Sequence, residues 1–282
     1  MIRKLSLAGK RVFLTGGAPG PNNGPTTLGE QFAEALKAEG AIVYLVDINP
    51  RVREAALRLN ANYRIADVTD LDEMEYTADL AADTMGGIDI VIANAGVADI
   101  TTFENDPTRY SRIQAVNETG VYNTIRACMP YIKGEDKYVL VNASNGGIVP
   151  LFLMMAYNAS KAHAIKLAES CNLELMGTGA RCGVLLLSEH VSPMEDNFKK
   201  SIPRFLMEHN PLLKYGHRER DARHAVNGMI RAIKRRRLYT SVPRYSVLAR
   251  YFPASVGWVA RQMHRAIQPV ADRAREEYEQ NQ

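Results

Sequence analysis

Three side chains in this sequence have the types and spacing to move a proton. Ser144 ends an apolar run of strand type, Val139-Leu140-Val141-Asn142-Ala143-Ser144, and Tyr157 follows thirteen positions later. Tyr157 opens Tyr157-Asn158-Ala159-Ser160-Lys161, which runs on into a helical pattern. Tyr157 and Lys161 are one helical turn apart, so both project from one face. A strand that ends against that face assembles a hydroxyl, a phenol and an ammonium in one small volume. A free phenol titrates near pH 10 and is a poor base at neutral pH. A neighbouring ammonium favours the phenolate. Bringing the phenol to roughly 7 requires about 4 kcal/mol of differential interaction. A phenol tuned in this way exchanges a proton with an alcohol oxygen, which the serine hydroxyl holds in place. Taken alone, a pattern as short as Tyr-x-x-x-Lys reads first as an exposed helical pair, and the rest of the chain must decide.

The elements that position these groups begin at the N-terminus. Arg11-Val12-Phe13-Leu14 reads as a short buried strand and runs into Thr15-Gly16-Gly17-Ala18-Pro19-Gly20. A helix follows with Leu28, Phe32, Ala35 and Leu36 on one side, and the apolar run 41–46 is a second strand ending at Asp47. Strand, glycine turn, helix, strand and acid form a dinucleotide-binding unit. In such a unit the glycines admit the backbone to a pyrophosphate, and the helix N-terminus stabilises its charge. Asp47 lies 18 residues after Gly29, close to the spacing of an acid that binds the adenosine ribose diol.

With these residues in view, the chain resembles the short-chain dehydrogenase/reductase family over residues 7 to 194. Thr15-Gly16-x-x-x-Gly20 looks like the family's cofactor turn, and Asp67-Val68-Thr69 like its adenine-contacting segment. Asn94-Ala95-Gly96 matches its central strand-end motif, and Asn117 stands where the family keeps an active-site asparagine. Ser144, Tyr157 and Lys161 match its catalytic residues. The resemblance implies that Tyr157 is the general acid or base and that Ser144 polarises the substrate oxygen. It implies that Lys161 lowers the tyrosine pKa and binds the nicotinamide ribose. Asn117 is expected to hold a water that links Lys161 to solvent; the bland reading of Asn117 is a kink or cap in its helix.

The cofactor expected is NAD(H). A carboxylate at Asp47 binds a diol and repels a 2′-phosphate, so NADP(H) is disfavoured. Arg51 and Arg53 lie close enough to complicate that argument.

Two departures from the family pattern stand out. Gly20 is followed by seven extra residues, 21–27, before Leu28-Gly29, so Gly29 becomes the third glycine. The prolines and asparagines of this stretch favour a shaped loop, with Thr26 or Thr27 capping the helix. The second departure follows Leu187. The family has Pro-Gly there; this chain has Ser188-Glu189-His190-Val191-Ser192. Val191 is expected to offer its backbone to the carboxamide, and Ser192 is the nearest hydroxyl after it. Without Pro-Gly the loop is expected to be less rigid.

The expected architecture is α/β: a doubly wound parallel sheet of Rossmann type, one domain with a C-terminal extension. Runs 88–93, 138–141 and 181–187 read as strands, and 106–131 and 156–176 as long helices, the pair through which the family commonly oligomerises. Residues 1–194 are assigned to the nucleotide-binding and catalytic core, 195–230 to a substrate flap, and 231–282 to a basic, apolar extension. Phe198, Ile202, Phe205, Leu206 and Met207 place apolar groups in the flap, and the run 148–155 adds an apolar wall. That lining favours a hydrophobic substrate over a sugar or an acid.

From Arg231 to Arg265 there are nine Lys/Arg residues, Lys234, Arg235, Arg236 and Arg237 among them, and no acids; apolar residues including Tyr245, Phe252 and Trp258 are interleaved. Such a tail docks on its own domain or contacts an anionic membrane. No nucleic-acid module accompanies it. Cys128, Cys171 and Cys182 form no close pair in sequence and read as reduced thiols. No His-Glu-x-x-His spacing is present, so no metal is expected. With no long apolar segment, the reading is a cytoplasmic protein that is membrane-associated at most through its tail.

The function expected is interconversion of a hydrophobic secondary alcohol and its ketone, steroid-, terpenoid- or aryl-alkyl-like, by hydride transfer in a homo-oligomeric enzyme. The alternatives are a non-catalytic dinucleotide sensor on the same fold, or a different reaction there, such as epimerisation or dehalogenation.

Overall fold

A computed structural model describes residues 4–21, 26–103, 107–151, 153–188, 190, 192–194, 221–243, 262, 265 and 269 of the 282-residue chain. Seven parallel strands form one sheet: β1 (Arg11–Thr15), β2 (Ile42–Asp47), β3 (Asn62–Ile65), β4 (Ile90–Ala93), β5 (Tyr138–Ser144), β6 (Arg181–Leu187) and β7 (Tyr239–Val242). Their order is β3-β2-β1-β4-β5-β6-β7, and every adjacent pair is parallel. The winding direction reverses between β1 and β4, which opens a crevice at the carboxyl ends of those strands.

Helices cover both faces. α1 (Leu28–Ala38), α2 (Val52–Leu59) and a helix at Arg223–Arg235 lie on one side. There Phe32 and Leu36 meet Val12, Leu14 and Met229 in one buried cluster. α3 (Leu71–Met85), α5 (Gly120–Cys128) and α6 (Met155–Glu174) cover the other, where Met74, Val121 and Ala164 pack on Phe13, Val91 and Val141. Burial on both faces is why the strands read as continuous apolar runs rather than alternating ones.

The long helix expected over 106–131 is interrupted. α4 (Pro107–Gln114) passes into a π-helical turn, Ala115–Thr119, before α5, and a 3₁₀ turn, Met129–Tyr131, closes the stretch. The widened turn holds Asn117.

The helix Arg223–Arg235 is labelled α7. With β7 it completes the sheet, although sequence assigned these residues to the flap and the start of the tail. The reason is amphipathicity: Ala225, Met229, Ala232 and Ile233 are buried beneath a face that carries Lys234 and Arg235. Lys234 is paired with Glu39, and its carbonyl accepts the Leu5 N–H. Flap residues 195–220 and the tail residues 244–261 lie outside the described residues. Among the described residues no helix is long and apolar enough to cross a membrane.

Cys171 and Cys182 come together where α6 meets β6. Both are unbridged, and burial pushes the Cys182 thiol up.

Candidate active site

The carboxyl end of β1 turns sharply at Gly16, whose φ is +73°, a left-handed conformation that favours glycine. Gly29, in the first turn of α1, lies directly against that turn. A Cβ on Gly29 would stand 1.8 Å from the Gly16 carbonyl oxygen, so only glycine lets the helix start there. Thr27 is the N-cap of α1: its Oγ1 accepts the Glu30 N–H at 3.1 Å and donates to the Ala18 carbonyl at 2.7 Å. Thr27 therefore ties the far end of the extra residues back to their beginning. Gly20 is buried, and its carbonyl accepts Arg51 Nη1 at 2.6 Å. Residues 22–25, the middle of the extra stretch, lie outside the described residues.

Asp47 ends β2 beside this turn. Its Oδ2 accepts the Ala18 N–H at 2.9 Å and its Oδ1 the Asn49 N–H at 2.9 Å. Burial raises its carboxyl pKa, and the N–H bonds oppose that shift. Asp67 accepts the Thr69 N–H at 2.8 Å, a local turn that presents Val68. Val68 is buried, and its carbonyl accepts Asn123 Nδ2 at 2.9 Å from α5.

A polar network joins the strand ends. Thr15 Oγ1 accepts the N–H groups of Asn94 and Ala95 at 3.1 and 3.2 Å. Asn94 Nδ2 donates to the carbonyls of Thr15 and Gly16 at 3.0 and 3.2 Å. Asn142 Nδ2 donates to Asn94 Oδ1 at 2.8 Å, and Lys161 Nζ donates to the Asn142 carbonyl at 3.2 Å. The network thus runs from the glycine turn to the lysine. Gly96 lies beside it: a Cβ there would be 3.5 Å from Lys161 Nζ and 3.3 Å from Asn117 Oδ1.

Ser144 is the last residue of β5. Its Oγ accepts the Gly146 N–H at 3.1 Å, which fixes the 3₁₀ turn Asn145–Gly147. That turn lies on the first half of α6. A Cβ on Gly147 would be 2.6 Å from the Lys161 carbonyl carbon. The serine's turn and the Tyr157–Lys161 stretch are therefore in contact. Lys161 is buried, and its Nζ is 5.5 Å from the centroid of the Tyr157 ring. Burial pushes the ammonium down to about 8, so it is mostly charged at neutral pH.

Asn117 is fully buried in the π-helical turn. Its Oδ1 accepts the Val97 N–H at 2.8 Å, and its Nδ2 donates to the Val97 carbonyl at 2.9 Å and to Ser160 Oγ at 3.0 Å. Ser160 Oγ in turn donates to the Tyr157 carbonyl at 2.8 Å. The Asn117 amide thus fixes the backbone after β4 and the first turn of α6; both of its ends are engaged by protein groups.

The short chain dehydrogenase family profile matches residues 10–202. The chain belongs to that family. A 2-dehydro-3-deoxy-L-rhamnonate dehydrogenase (NAD(+)) from Sphingomonas sp. (strain SKA58) is 30% identical over 214 residues, covering 74% of this chain and 83% of the relative. A 3-alpha-(or 20-beta)-hydroxysteroid dehydrogenase from Mycobacterium bovis is 31% identical over 195 residues, covering 67% and 72%. Among solved structures, a short chain dehydrogenase/reductase from Burkholderia phymatum in complex with NAD shares the fold. Its TM-score is 0.74 at 21% identity, over 90% of this chain and 96% of that one.

This short-chain dehydrogenase holds its site with residues that the motifs do not mark. Thr101 is buried and bridges Met154; its Oγ1 accepts the Ala156 N–H at 3.0 Å and so caps the helix that carries Tyr157. A threonine shortly after Asn94-Ala95-Gly96 was the only sequence signal for this. Ser188 is the second. Its N–H donates to the Val242 carbonyl at 3.0 Å, and its Oγ accepts Asn145 Nδ2 at 2.7 Å. A proline there would make neither bond. Rather than loosening the strand end, Ser188 ties β6 to β7 and to the turn beside Ser144. His190 is buried and Ser192 half-buried; Glu189, Val191 and Phe152 lie outside the described residues.

Proposed function

We propose that this oxidoreductase uses NAD(H) to interconvert a hydrophobic secondary alcohol and its ketone. The observation that carries the reading is a buried Lys161 ammonium 5.5 Å from the Tyr157 ring, in a helix that touches the turn fixed by Ser144. The residues present fit a dinucleotide. The Gly16–Gly29 contact brings bare backbone to the start of a helix, and Asp47 ends the second strand beside it. Thr15, Gly16, Gly20 and Gly29 would flank the diphosphate, and Asp47 the adenosine ribose. Asp67 and Val68 would border the adenine, and Asn94, Ala95 and Gly96 would line the path to the nicotinamide end. The bound dinucleotide supplies or accepts the hydride at the carbinol carbon.

The chain's own residues do the rest. Tyr157 takes the carbinol proton in oxidation and returns it in reduction. Ser144 donates a hydrogen bond to the substrate oxygen as charge develops there. Lys161 stabilises the phenolate electrostatically and, beside Gly96, would meet a ribose hydroxyl. The amide of Asn117 is occupied, so the water expected there falls to the backbone of the π-helical turn. The role of Val191 and Ser192 at the carboxamide rests on the family pattern.

Half-buried Ile148, Val149, Leu151 and Met155, between Ser144 and Tyr157, support a hydrophobic substrate, as does the hydroxysteroid relative. The rhamnonate relative shows that this fold also serves polar substrates, so the wall rather than the kinship carries that part. A homo-oligomer through α5 and α6 is supported by exposed Tyr122 and Leu173 on those helices. A cytoplasmic location with membrane contact through the tail completes the reading; flotation with anionic liposomes tests the contact. For the activity, lipophilic secondary alcohols are presented with NAD at alkaline pH and reduced nicotinamide is followed by absorbance. Turnover of at least one class is expected; firm dinucleotide binding with no turnover across the panel contradicts the reading.

A further inference from the structure

Two opposite charges converge on one short stretch of the turn after β1. Asp47 Oδ2 accepts the Ala18 N–H at 2.9 Å, and Arg51 Nη1 donates to the Gly20 carbonyl at 2.6 Å. Arg51 is thereby brought to the edge of the surface that Asp47 borders. A guanidinium in that place is the natural receptor for a ribose 2′-phosphate, because its planar edge donates two parallel N–H bonds to such an anion. In this chain that edge faces Glu54, in the first turn of the helix that Arg51 begins. Arg51 Nε lies 3.2 and 3.1 Å from the two Glu54 oxygens, and Nη2 lies 2.9 Å from Oε2. The backbone holds the arrangement from the other side: the Arg51 N–H donates to Asn49 Oδ1 at 3.0 Å, and the Asn49 N–H to Asp47 Oδ1 at 2.9 Å.

We propose that Glu54 is a specificity-determining residue: it occupies the bidentate edge of Arg51 and so denies that guanidinium to a 2′-phosphate. Discrimination against NADP(H) is then shared between two acids. Asp47 repels the phosphate directly, and Glu54 withholds the cation that would receive it. Specificity built in this way is a difference between two affinities, set partly by what the disfavoured ligand is refused. Glu54 is exposed and Arg51 half-buried, so the pair adds little to stability and removal of Glu54 leaves the fold intact. This inference rests on the reading that the crevice beyond β1 and β2 binds a dinucleotide.

The test is titration of the full chain with NADH and NADPH, followed by nicotinamide fluorescence, for the wild type, Asp47→Asn, Glu54→Ala, and Glu54→Ala combined with Arg51→Met. Circular dichroism checks that each variant is folded. Glu54→Ala is expected to tighten NADPH about tenfold, with a smaller change for NADH, and the added Arg51→Met to abolish that gain. An NADPH affinity for Glu54→Ala within about twofold of wild type, while Asp47→Asn shifts the preference, overturns the role of Glu54 alone. A gain that survives Arg51→Met overturns it as well. Failure of the wild type to bind NADH, or no response to Asp47→Asn, overturns the dinucleotide reading and this inference with it.

Discussion

Gly29 and Gly16 touch across the extra residues of the nucleotide turn, leaving 1.8 Å between the place of a Gly29 side chain and the Gly16 carbonyl oxygen. The insertion therefore lengthens the turn without moving its two ends apart. Thr27, bonded to the Ala18 carbonyl, closes the loop at its base.

Gly29→Ala forces a methyl group into that backbone contact. Loss of roughly 3 kcal/mol of stability is expected, together with weakened NADH binding. Urea denaturation and an NADH titration check it. A variant as stable as the wild type would place α1 differently from the structure.

Lys161 makes the site costly to keep. Burial lowers its pKa from 10.5 to about 8. The unfolded chain therefore binds more protons than the folded one between those values, and this group's contribution to stability rises with pH across that window. Below about 8 the cost of the buried charge is fully present, about 3 kcal/mol. Lys161→Met should be more stable than the wild type at pH 7, with the difference shrinking as pH rises through 8 toward 10.5. Denaturation midpoints at several pH values read this directly. A pH-independent difference means that the ammonium is solvated.

Most of the elements that frame the candidate site are legible in the sequence because they are short and local. Apolar runs mark β1, β2, β4, β5 and β6, and the acid or hydroxyl that ends a run marks its carboxyl edge, as with Asp47 and Ser144. What is not legible depends on contacts between distant segments. The π-helical turn around Asn117 leaves no mark in the 3.6-residue pattern, since one widened turn shifts register only slightly. Thr101 caps α6 from more than 50 positions away. α7 and β7 are hidden because the buried stripe of α7 is narrow and interrupted by basic residues, and β7 is only four residues long, with Thr240 and Ser241 among them. Cys171 and Cys182 meet only once α6 lies on β6.

Ser188 offers a third prediction. Ser188→Ala removes only the bond from Asn145 and should cost about 1 kcal/mol. Ser188→Pro removes the bond to Val242 too and should cost about 2 kcal/mol, even though it restores the family's usual residue. Ser188→Thr keeps both bonds and should behave like the wild type. Thermal and urea unfolding decide the order. A proline variant more stable than the wild type contradicts the tie between β6 and β7.

The most direct test of the whole account is the rate of hydride transfer in Tyr157→Phe. NADH is bound first, a lipophilic ketone that the wild type reduces is added, and loss of NADH is followed in a single turnover. Removing the proton donor while leaving the ring should lower that rate by about 10³-fold, with NADH affinity nearly unchanged. Equal rates in the variant and the wild type would show that position 157 does not carry the proton.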